Sequence, residues 1–230
     1  MADSRVFVIT GASSGIGAAT ATEASRAGHR LVLAARRPDA LDEVAGRCEG
    51  EVVTVPTDVT SWEDNERLAA AAIEAFGAID VVFANAGFGA NRSFSSEGDS
   101  PEHWREMVLT NVLGAAYTVR ATFEAVREAT GHFLLTGSVA GRVAIPGSLY
   151  SSTKWAVSGM AQSLRAELAG SGVRVTLIAP GMVDTPFFDS TPADEILQEQ
   201  DIAEAVMWAI SRPPRVDVNE ILVRPTVQQL

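Results

Sequence analysis

The sequence predicts an α/β protein built on one doubly wound parallel sheet of about seven strands, with helices on both faces. Short apolar runs alternate with longer helical patterns about seven times along the 230 residues, which is typical of a parallel sheet flanked by helices. Most of these runs are continuously apolar, as expected for strands that are covered on both faces. No repeat, low-complexity block or linker divides the chain. We therefore expect a single domain over residues 1–230.

Each strand is predicted from a short apolar run that is bounded by turn residues; the runs are 5–10, 31–34, 51–55, 79–84, 132–136, 173–178 and 220–223. Helices are predicted over 16–27, 38–47, 100–127, 149–169 and 201–211, and one more begins at Thr60. Gly28 ends the first helix, and Ser100 before Pro101 begins the fourth. Thr60 and Glu63 predict a capping box. Right-handed crossovers place the carboxyl ends of all strands at one edge of the sheet, where ligands of such folds bind.

Composition excludes several classes of function. The 18 Lys and Arg residues face 29 Asp and Glu, for a net charge of −11, so we expect no nucleic-acid partner and no anionic membrane surface. Cys48 is the only cysteine, which rules out an intrachain disulfide or a thiolate metal cluster and indicates a reducing compartment.

Membrane insertion and metal binding are not expected either. The longest uncharged stretch, 6–22, is interrupted by glycines and makes a poor membrane span. There is no basic leader, so we expect a cytoplasmic protein. His29, His103 and His132 lack the spacing of metal ligands and are predicted to lie on the surface or at strand edges.

A glycine-rich loop, Thr10 to Gly17, joins the first strand to the first helix with the spacing G-x-x-x-G-x-G. Gly11 permits a tight turn, Gly15 lets a pyrophosphate approach the backbone, and Gly17 lets helix and strand pack closely. The helix N-terminus supplies N–H donors and a partial positive charge for a phosphate. A purely structural turn is the alternative, but the strand before it and the helix after it favour dinucleotide binding.

The end of the second strand indicates which dinucleotide binds. NAD-binding folds carry an acidic residue there for the ribose 2′-hydroxyl, whereas this strand is followed by Arg36 and Arg37, with no carboxylate before Asp39. A guanidinium pairs with a 2′-phosphate, which a carboxylate would repel. The sequence therefore predicts NADP(H), with Arg36 as the main contact and Arg37 in support. Two solvated arginines at a helix start are the alternative.

Tyr150 and Lys154 are four residues apart in a predicted helix, so their side chains share one face. A free tyrosine, with a pKa near 10, is a poor acid–base catalyst at neutral pH. A neighbouring ammonium group stabilises the phenolate and lowers that pKa. Tyr-x-x-x-Lys is common on its own, but here it follows Ser138 by twelve residues and opens the helix after the fifth strand.

Further motifs follow the predicted strands in order: Asp58 after the third, Asn85-Ala86-Gly87 after the fourth, Asn111 in the long helix, Ser138 after the fifth, and Pro180-Gly181 after the sixth. With the glycine loop and the Tyr150–Lys154 pair, they make the chain resemble the short-chain dehydrogenases/reductases over essentially its whole length. The resemblance implies a Rossmann-type dinucleotide-binding catalytic domain with a nicotinamide cofactor and no metal.

The resemblance also implies a role for each motif residue. Ser138 polarises the substrate carbonyl, and Tyr150 is the acid/base. Lys154 lowers the pKa of the tyrosine and binds the nicotinamide ribose. Asn111 disrupts its helix locally and holds a water that links Lys154 to solvent. The implied cofactor-binding residues are Gly11, Ser13, Ser14, Gly15, Ile16, Gly17, Arg36, Arg37, Asp58, Val59, Asn85, Ala86, Gly87, Tyr150, Lys154, Pro180, Gly181, Val183 and Thr185.

The substrate side is less defined. By resemblance, residues 182–200 form a short lid, in which Phe187 and Phe188 either wall the pocket or pack the lid onto the body. The segment 216–226 resembles a subgroup that includes serine and 3-hydroxy acid dehydrogenases. A hydroxy acid needs a cationic anchor, and Arg142 is one candidate, although a solvent-exposed position is the alternative.

Together these features predict an NADP(H)-dependent oxidoreductase that interconverts a small ketone or aldehyde and the corresponding alcohol, with a 3-hydroxy acid as one candidate for that alcohol. Two alternatives stay open: a catalytically silent NADP(H)-binding regulator, and an epimerase or dehydratase on the same fold. By resemblance, a homodimer or homotetramer forms through the two long helices.

Overall fold

The computed structural model describes residues 4–89, 93–95, 98–187 and 195–228. Seven parallel strands form the main sheet, and each begins and ends within two residues of a predicted run: β1 (Val6–Thr10), β2 (Arg30–Ala35), β3 (Val52–Pro56), β4 (Val81–Ala84), β5 (His132–Thr136), β6 (Arg174–Pro180) and, last along the chain, β9 (Glu220–Val223). Their order across the sheet is β3-β2-β1-β4-β5-β6-β9. A separate ribbon pairs β7 (Val183–Asp184) with β8 (Leu197–Gln198). The predicted fold class is confirmed.

Helices cover both faces of this sheet: α1 (Gly15–Arg26), α2 (Pro38–Ala45), α3 (Trp62–Phe76), α4 (Pro101–Val108), α5 (Ala115–Glu128), α6 (Leu149–Glu167) and α7 (Glu199–Ile210). One core lies between the sheet and α3, α5 and α6, and the other between the sheet and α1, α2 and α7. β1 contributes to both, since Val6 and Val8 enter the first core while Phe7 and Ile9 enter the second. This division follows from the two-residue period of a strand.

The long helix predicted over 100–127 is divided in two. Ser100 caps it as expected, its Oγ accepting the His103 N–H at 3.2 Å. Between α4 and α5, however, the segment Leu109–Gly114 is π-helical, and such bulges are frequent at functional sites. Asn111 lies in this segment and is buried, at the position where the family resemblance implied a local disruption.

The capping box predicted at Thr60 and Glu63 is wrong by one residue. Ser61 is the N-cap of α3, and its Oγ accepts the Asp64 N–H at 3.1 Å. Thr60 instead bonds to Asp58 Oδ1 through its N–H and its hydroxyl. Two adjacent hydroxyl residues satisfy the same capping pattern, and the turn after β3 decides between them.

The histidines were predicted to lie on the surface or at strand edges, and the surface position is wrong for His29 and His132, which are both buried. Both lie at the start of a strand, since His29 precedes β2 and His132 is the first residue of β5. His29 Nδ1 accepts the Arg5 N–H at 3.2 Å, and burial, followed by the charge of Arg5, lowers its pKa. His132 Nε2 lies 2.7 Å from Thr176 Oγ1. Within the described ranges there is no cluster of potential metal ligands and no helix long and apolar enough to cross a bilayer.

Candidate active site

A cleft of about 1220 Å³ runs along the edge where the strands β1 to β6 end. It is larger than the ~300–1,000 Å³ of most small-molecule pockets. Nearly all the residues implicated by the sequence line it: Gly11, Ser13, Ser14, Gly15, Ile16, Arg36, Arg37, Asp58, Val59, Asn85, Ala86, Gly87, Ser138, Tyr150, Lys154, Pro180, Gly181, Val183 and Thr185. Gly17 and Asn111, both buried, lie behind this lining.

The glycine loop has the geometry that its spacing predicts. Gly11 and Gly15 have φ angles of +66° and +54°, a region that glycine enters at little cost. A Cβ on Gly17 would collide with the Gly11 carbonyl group and come within 2.8 Å of Asn85 Nδ2. Helix α1 begins here with Ser14 as its N-cap, and that side chain makes no capping hydrogen bond. The N–H donors of the first turn are therefore presented toward the cleft.

Next to the glycine loop, Asn85 is fixed by a hydrogen-bond network that the sequence did not predict. Asn85 Nδ2 donates to the Thr10 carbonyl at 3.1 Å, and its Oδ1 accepts the Thr136 hydroxyl at 3.0 Å. The Asn85 N–H donates in turn to Thr10 Oγ1 at 3.0 Å. These bonds join the ends of β1, β4 and β5, and both threonines gave only a strand-end signal in the sequence.

At the other end of the cleft, the two arginines follow β2. Arg36 and Arg37 are exposed and line the cleft, with Arg37 as the N-cap of α2. Asp58 and Val59, which follow β3, also line the cleft, and Val59 is buried. The Asp58 N–H donates to the Asp64 carboxylate at 2.9 Å, and this bond is the main cause of the lowered pKa of Asp64.

Three polar side chains meet at the end of β5 and the start of α6. Ser138 Oγ accepts the Ala140 N–H at 3.1 Å and donates to the Pro180 carbonyl at 3.3 Å, and its hydroxyl lies close enough to Tyr150 to lower the pKa of the phenol. Lys154 is 4% exposed, and its Nζ donates to the Thr136 carbonyl at 2.8 Å. That ammonium lies 5.6 Å from the centre of the Tyr150 ring. The hydroxyl, phenol and ammonium groups are thus gathered at one place.

Burial dominates the electrostatics of this pair. It raises the pKa of Tyr150 to about 12, against a smaller lowering by the neighbouring Ser138 hydroxyl. It also lowers the pKa of Lys154 to about 8. The sequence predicted that Lys154 would have the main influence on the pKa of the tyrosine, whereas desolvation of the phenolate is the larger effect in the structure.

Asn111 does not line the cleft but hydrogen-bonds to segments that do. Its Oδ1 accepts the Phe88 N–H at 3.0 Å, while its Nδ2 donates to the Phe88 carbonyl at 2.9 Å and to Thr153 Oγ1 at 3.1 Å. The amide therefore joins the loop after β4 to α6. Gly87 lies between them, where a Cβ would be 3.0 Å from Asn111 Oδ1 and 3.7 Å from Lys154 Nζ.

The sequence did not decide whether the lid residues Phe187 and Phe188 wall the pocket or pack the lid onto the body. Phe187 packs edge to face on Tyr150, with 5.3 Å between ring centroids, and a Cβ on Gly89 would meet its Cζ at 2.6 Å. Its N–H donates to Thr185 Oγ1 at 3.3 Å. Phe187 therefore forms a wall of the cleft beside Tyr150. Phe188 lies outside the described residues.

Arg142, considered as an anchor for a hydroxy acid, is not in this cleft. Its Nε and Nη2 donate to the two carboxylate oxygens of Glu220 at 2.8 and 2.7 Å. It lines a separate cavity of about 320 Å³ between α6 and β9, and its side chain is 23% exposed. The solvent-exposed alternative holds only in part, because the guanidinium is half-buried and held in a long-range ion pair with Glu220.

The C-terminal segment contributes a residue that no sequence signal identified. Gln228 lines the cleft, and its Oε1 accepts the Met182 N–H at 3.0 Å. A Cβ on Gly181 would collide with the same oxygen. Gly181 also donates its N–H to the Val223 carbonyl at 2.7 Å. The end of the chain thus holds the loop after β6, 46 residues away in sequence.

Known proteins share both sequence and fold with this chain. An uncharacterized oxidoreductase of Staphylococcus aureus (strain MRSA252) is 40% identical over 226 residues, covering 96% of this chain and 97% of the relative. An alcohol dehydrogenase from the archaeon Thermococcus sibiricus, solved with 5-hydroxy-NADP, is 35% identical with a TM-score of 0.92 and covers 99% of both chains. Serine dehydrogenase from Escherichia coli is 28% identical with a TM-score of 0.88, over 98% of this chain and 100% of that one. The model of the short chain dehydrogenase family matches residues 5–196, and on this sequence and geometry the chain belongs to that family of oxidoreductases.

Proposed function

We propose that this oxidoreductase is an NADP(H)-dependent carbonyl reductase, which interconverts a small ketone or aldehyde and the corresponding alcohol. The observation that carries the proposal is the meeting of Ser138, Tyr150 and Lys154 in a cleft that extends to the N-terminus of α1. A hydroxyl and a phenol suit a carbonyl oxygen, and a helix N-terminus suits a phosphate.

The residues at the far end of the cleft fit a nicotinamide dinucleotide. Gly11 and Gly15 line the cleft at the start of α1, and the first turn of that helix lacks a side-chain cap. Arg36 and Arg37 suit a 2′-phosphate, which supports NADP(H) over NAD(H). Among similar structures, serine dehydrogenase was solved with NADP+ and a Brucella melitensis 3-ketoacyl reductase with NADH. When bound, the dinucleotide supplies the two-electron exchange with the substrate carbon.

Side chains of this protein orient the substrate and transfer a proton to or from its oxygen. Ser138 and Tyr150 both donate to the substrate oxygen, and Tyr150 gives its proton to that oxygen in reduction or removes one from the alcohol in oxidation. The Lys154 ammonium stabilises the phenolate that results and holds the ribose. Asn111 fixes the loop that faces Lys154, and we propose that its π-helical turn holds the water that links the ammonium to solvent.

Three further parts of the proposal concern the lid, the oligomeric state and the cellular compartment. Residues 182–200 were predicted to be a substrate lid; 188–194 lie outside the described residues, and in the described part Phe187 packs on Tyr150. Exposed apolar side chains on the long helices, Val108 at 39% and Trp155 at 49%, support a homodimer or homotetramer. The single unpaired cysteine supports a reducing, cytoplasmic setting.

Substitution of the two tyrosines tests the function. NADPH oxidation is measured against small aldehydes and diketones for the parent protein, Tyr150→Phe and Tyr117→Phe. We expect Tyr150→Phe to lose at least about 10³-fold in kcat, because the proton donor is gone, with little change in NADPH affinity. Tyr117 packs on Trp62, with 5.6 Å between ring centroids, and is the matched control.

Each result separates the candidates. Turnover retained by Tyr150→Phe refutes the assigned acid. A protein that binds NADPH tightly but reduces none of these carbonyl compounds is instead a binding protein, or an enzyme that acts through epimerisation or dehydration.

A further inference from the structure

The loop that follows β6 lines the cleft beside Ser138, and its backbone hydrogen bonds outlast the strand next to it. The β6–β9 ladder ends with the pair Pro180 and Val223. One more bond continues it, from the Gly181 N–H to the Val223 carbonyl at 2.7 Å. Because β9 ends at Val223, the next N–H of the loop, that of Met182, needs a partner from outside the ladder.

The side chain of Gln228 is that partner. After β9 the chain turns back, and the Gln228 N–H donates to the Pro225 carbonyl at 3.1 Å. Gln228 Oε1 then accepts the Met182 N–H at 3.0 Å. A backbone N–H needs an acceptor, so this bond fixes which end of the carboxamide faces the loop. A side chain thus adds one hydrogen bond to the ladder beyond the point where the strand ends.

The backbone of the loop leaves room for this side chain. A Cβ on Gly181 would collide with Gln228 Oε1 and would come within 3.0 Å of Pro225 Cδ. Gln228 is half-buried and lines the cleft together with Gly181 and Met182. The missing Cβ and the hydrogen bond are separate observations, and both indicate that the loop is shaped around the carboxamide.

The same loop contacts a reacting group through one carbonyl. The Pro180 carbonyl accepts the Ser138 hydroxyl at 3.3 Å, and Ser138 Oγ accepts the Ala140 N–H at 3.1 Å. Two partners therefore fix the Ser138 hydroxyl, and one of them belongs to the loop. Only one residue separates Pro180 from Met182, so a loop released at Met182 also loosens the carbonyl that orients Ser138.

We propose that Gln228 is a positioning residue for carbonyl reduction, which fixes the loop after β6 and through it orients the Ser138 hydroxyl toward the substrate oxygen. The inference rests on the proposed function and adds to it a residue from the segment after β9. A donor held in place in advance lowers the reaction barrier, whereas a mobile donor must be ordered during the reaction. The proposed phosphate contacts lie at the other end of the cleft, so Gln228 should influence kcat and not the affinity for NADPH.

Three variants of the full chain separate the acceptor from the rest of the side chain. Gln228→Ala removes the acceptor. Gln228→Glu keeps an oxygen that accepts the Met182 N–H, and water reaches its charge because the position is only half-buried. Gln162→Ala is the matched control, since Gln162 is an exposed glutamine of α6 that lines the separate cavity. The measurements are hydrogen exchange of the Met182 amide without ligand, NADPH titration, and kcat with the carbonyl compounds used above.

We expect the Met182 amide to exchange at least about tenfold faster in Gln228→Ala, because its acceptor is gone, while the amides of β1 exchange as before. The value of kcat should fall about tenfold, with the Kd for NADPH within about twofold of the parent value. The loss stays moderate because the Met182 carbonyl still accepts the Leu197 N–H at 3.1 Å. Gln228→Glu should restore the protection and most of kcat, and Gln162→Ala should match the parent protein.

The outcomes distinguish this inference from the proposed function. Equal exchange of the Met182 amide in the parent protein and Gln228→Ala overturns the inference, and so does faster exchange with an unchanged kcat. A loss of kcat that Gln228→Glu does not restore, or faster exchange of the β1 amides as well, indicates general destabilisation and also overturns it. A parent protein that reduces none of the carbonyl compounds overturns the proposed function and the positioning role together, whatever the exchange of Met182 shows.

Discussion

The two ends of the cleft are built differently. At the dinucleotide end, backbone atoms form the surface: Gly11, Gly15 and Gly17 lie in one loop, directly before α1. At the substrate end, side chains from distant segments form the surface, including Phe187 and Gln228. A surface made of one loop's backbone tolerates little change, whereas one made of separate side chains can be altered residue by residue. Substitutions at the dinucleotide end should therefore cost more than substitutions at the substrate end.

The sharpest test of this contrast compares two glycines. In Gly17→Ala the new Cβ collides with the Gly11 backbone and Asn85, so we expect a loss of about 3 kcal/mol in the free energy of unfolding and at least about 100-fold in NADPH affinity. In Gly89→Ala the Cβ meets only the Phe187 ring, which can turn away, so the cost stays below about 1 kcal/mol. Chemical denaturation and NADPH fluorescence titration measure both.

Gly159→Ala is the control for this pair, since nothing lies within 4 Å of its Cβ position in helix α6. It should stabilise the protein by up to about 1 kcal/mol through helix propensity. Equal losses for Gly17→Ala and Gly89→Ala would contradict the distinction between a backbone surface and a side-chain surface.

Lys154 lies between the two ends and provides a test against pH. Burial lowers its pKa from 10.5 to about 8, so below pH 8 the folded protein carries a buried ammonium that the unfolded chain solvates more favourably. This penalty is full below pH 8 and disappears as pH rises from 8 to 10.5, where the unfolded state binds more protons. Lys154→Met should thus raise the free energy of unfolding at pH 7 by about 2 kcal/mol, after the lost hydrogen bond to Thr136 is subtracted.

The stabilising effect of Lys154→Met should shrink through pH 8 to 10.5 while activity is lost at every pH. Denaturation curves at pH 7, 8.5 and 10 measure the trend. A stability difference that grows with pH would contradict the lowered pKa.

The smallest effect is expected at Arg36. Because Arg36 is exposed at the end of β2, Arg36→Ala should lower the preference for NADPH over NADH about tenfold without destabilising the fold. Arg47, exposed just past α2 and 4.0 Å from Glu43, is the control. Equal use of NADPH and NADH by the parent protein would end the assignment of the 2′-phosphate to this end.

The sequence predicted most where the physical signal is local. The continuously apolar runs predicted the strands of the sheet, and the glycine spacing predicted the turn before α1, because each of these signals lies within a few neighbouring residues. It failed where the partner is distant: Arg142 pairs with Glu220, 78 residues away, and Gln228 binds Met182 from the end of the chain. His132 gave no sign of burial because its partner, Thr176, is on the adjacent strand.

β1 shows how closely folding and chemistry depend on each other here. Its side chains alternate between two cores, and its last residue, Thr10, supplies both a carbonyl and a hydroxyl to Asn85. A slip of one position would exchange the contents of the two cores and displace the glycine loop by a full residue. A partly active, misregistered form is therefore not available to this molecule, and insertions in this strand should abolish folding and catalysis together.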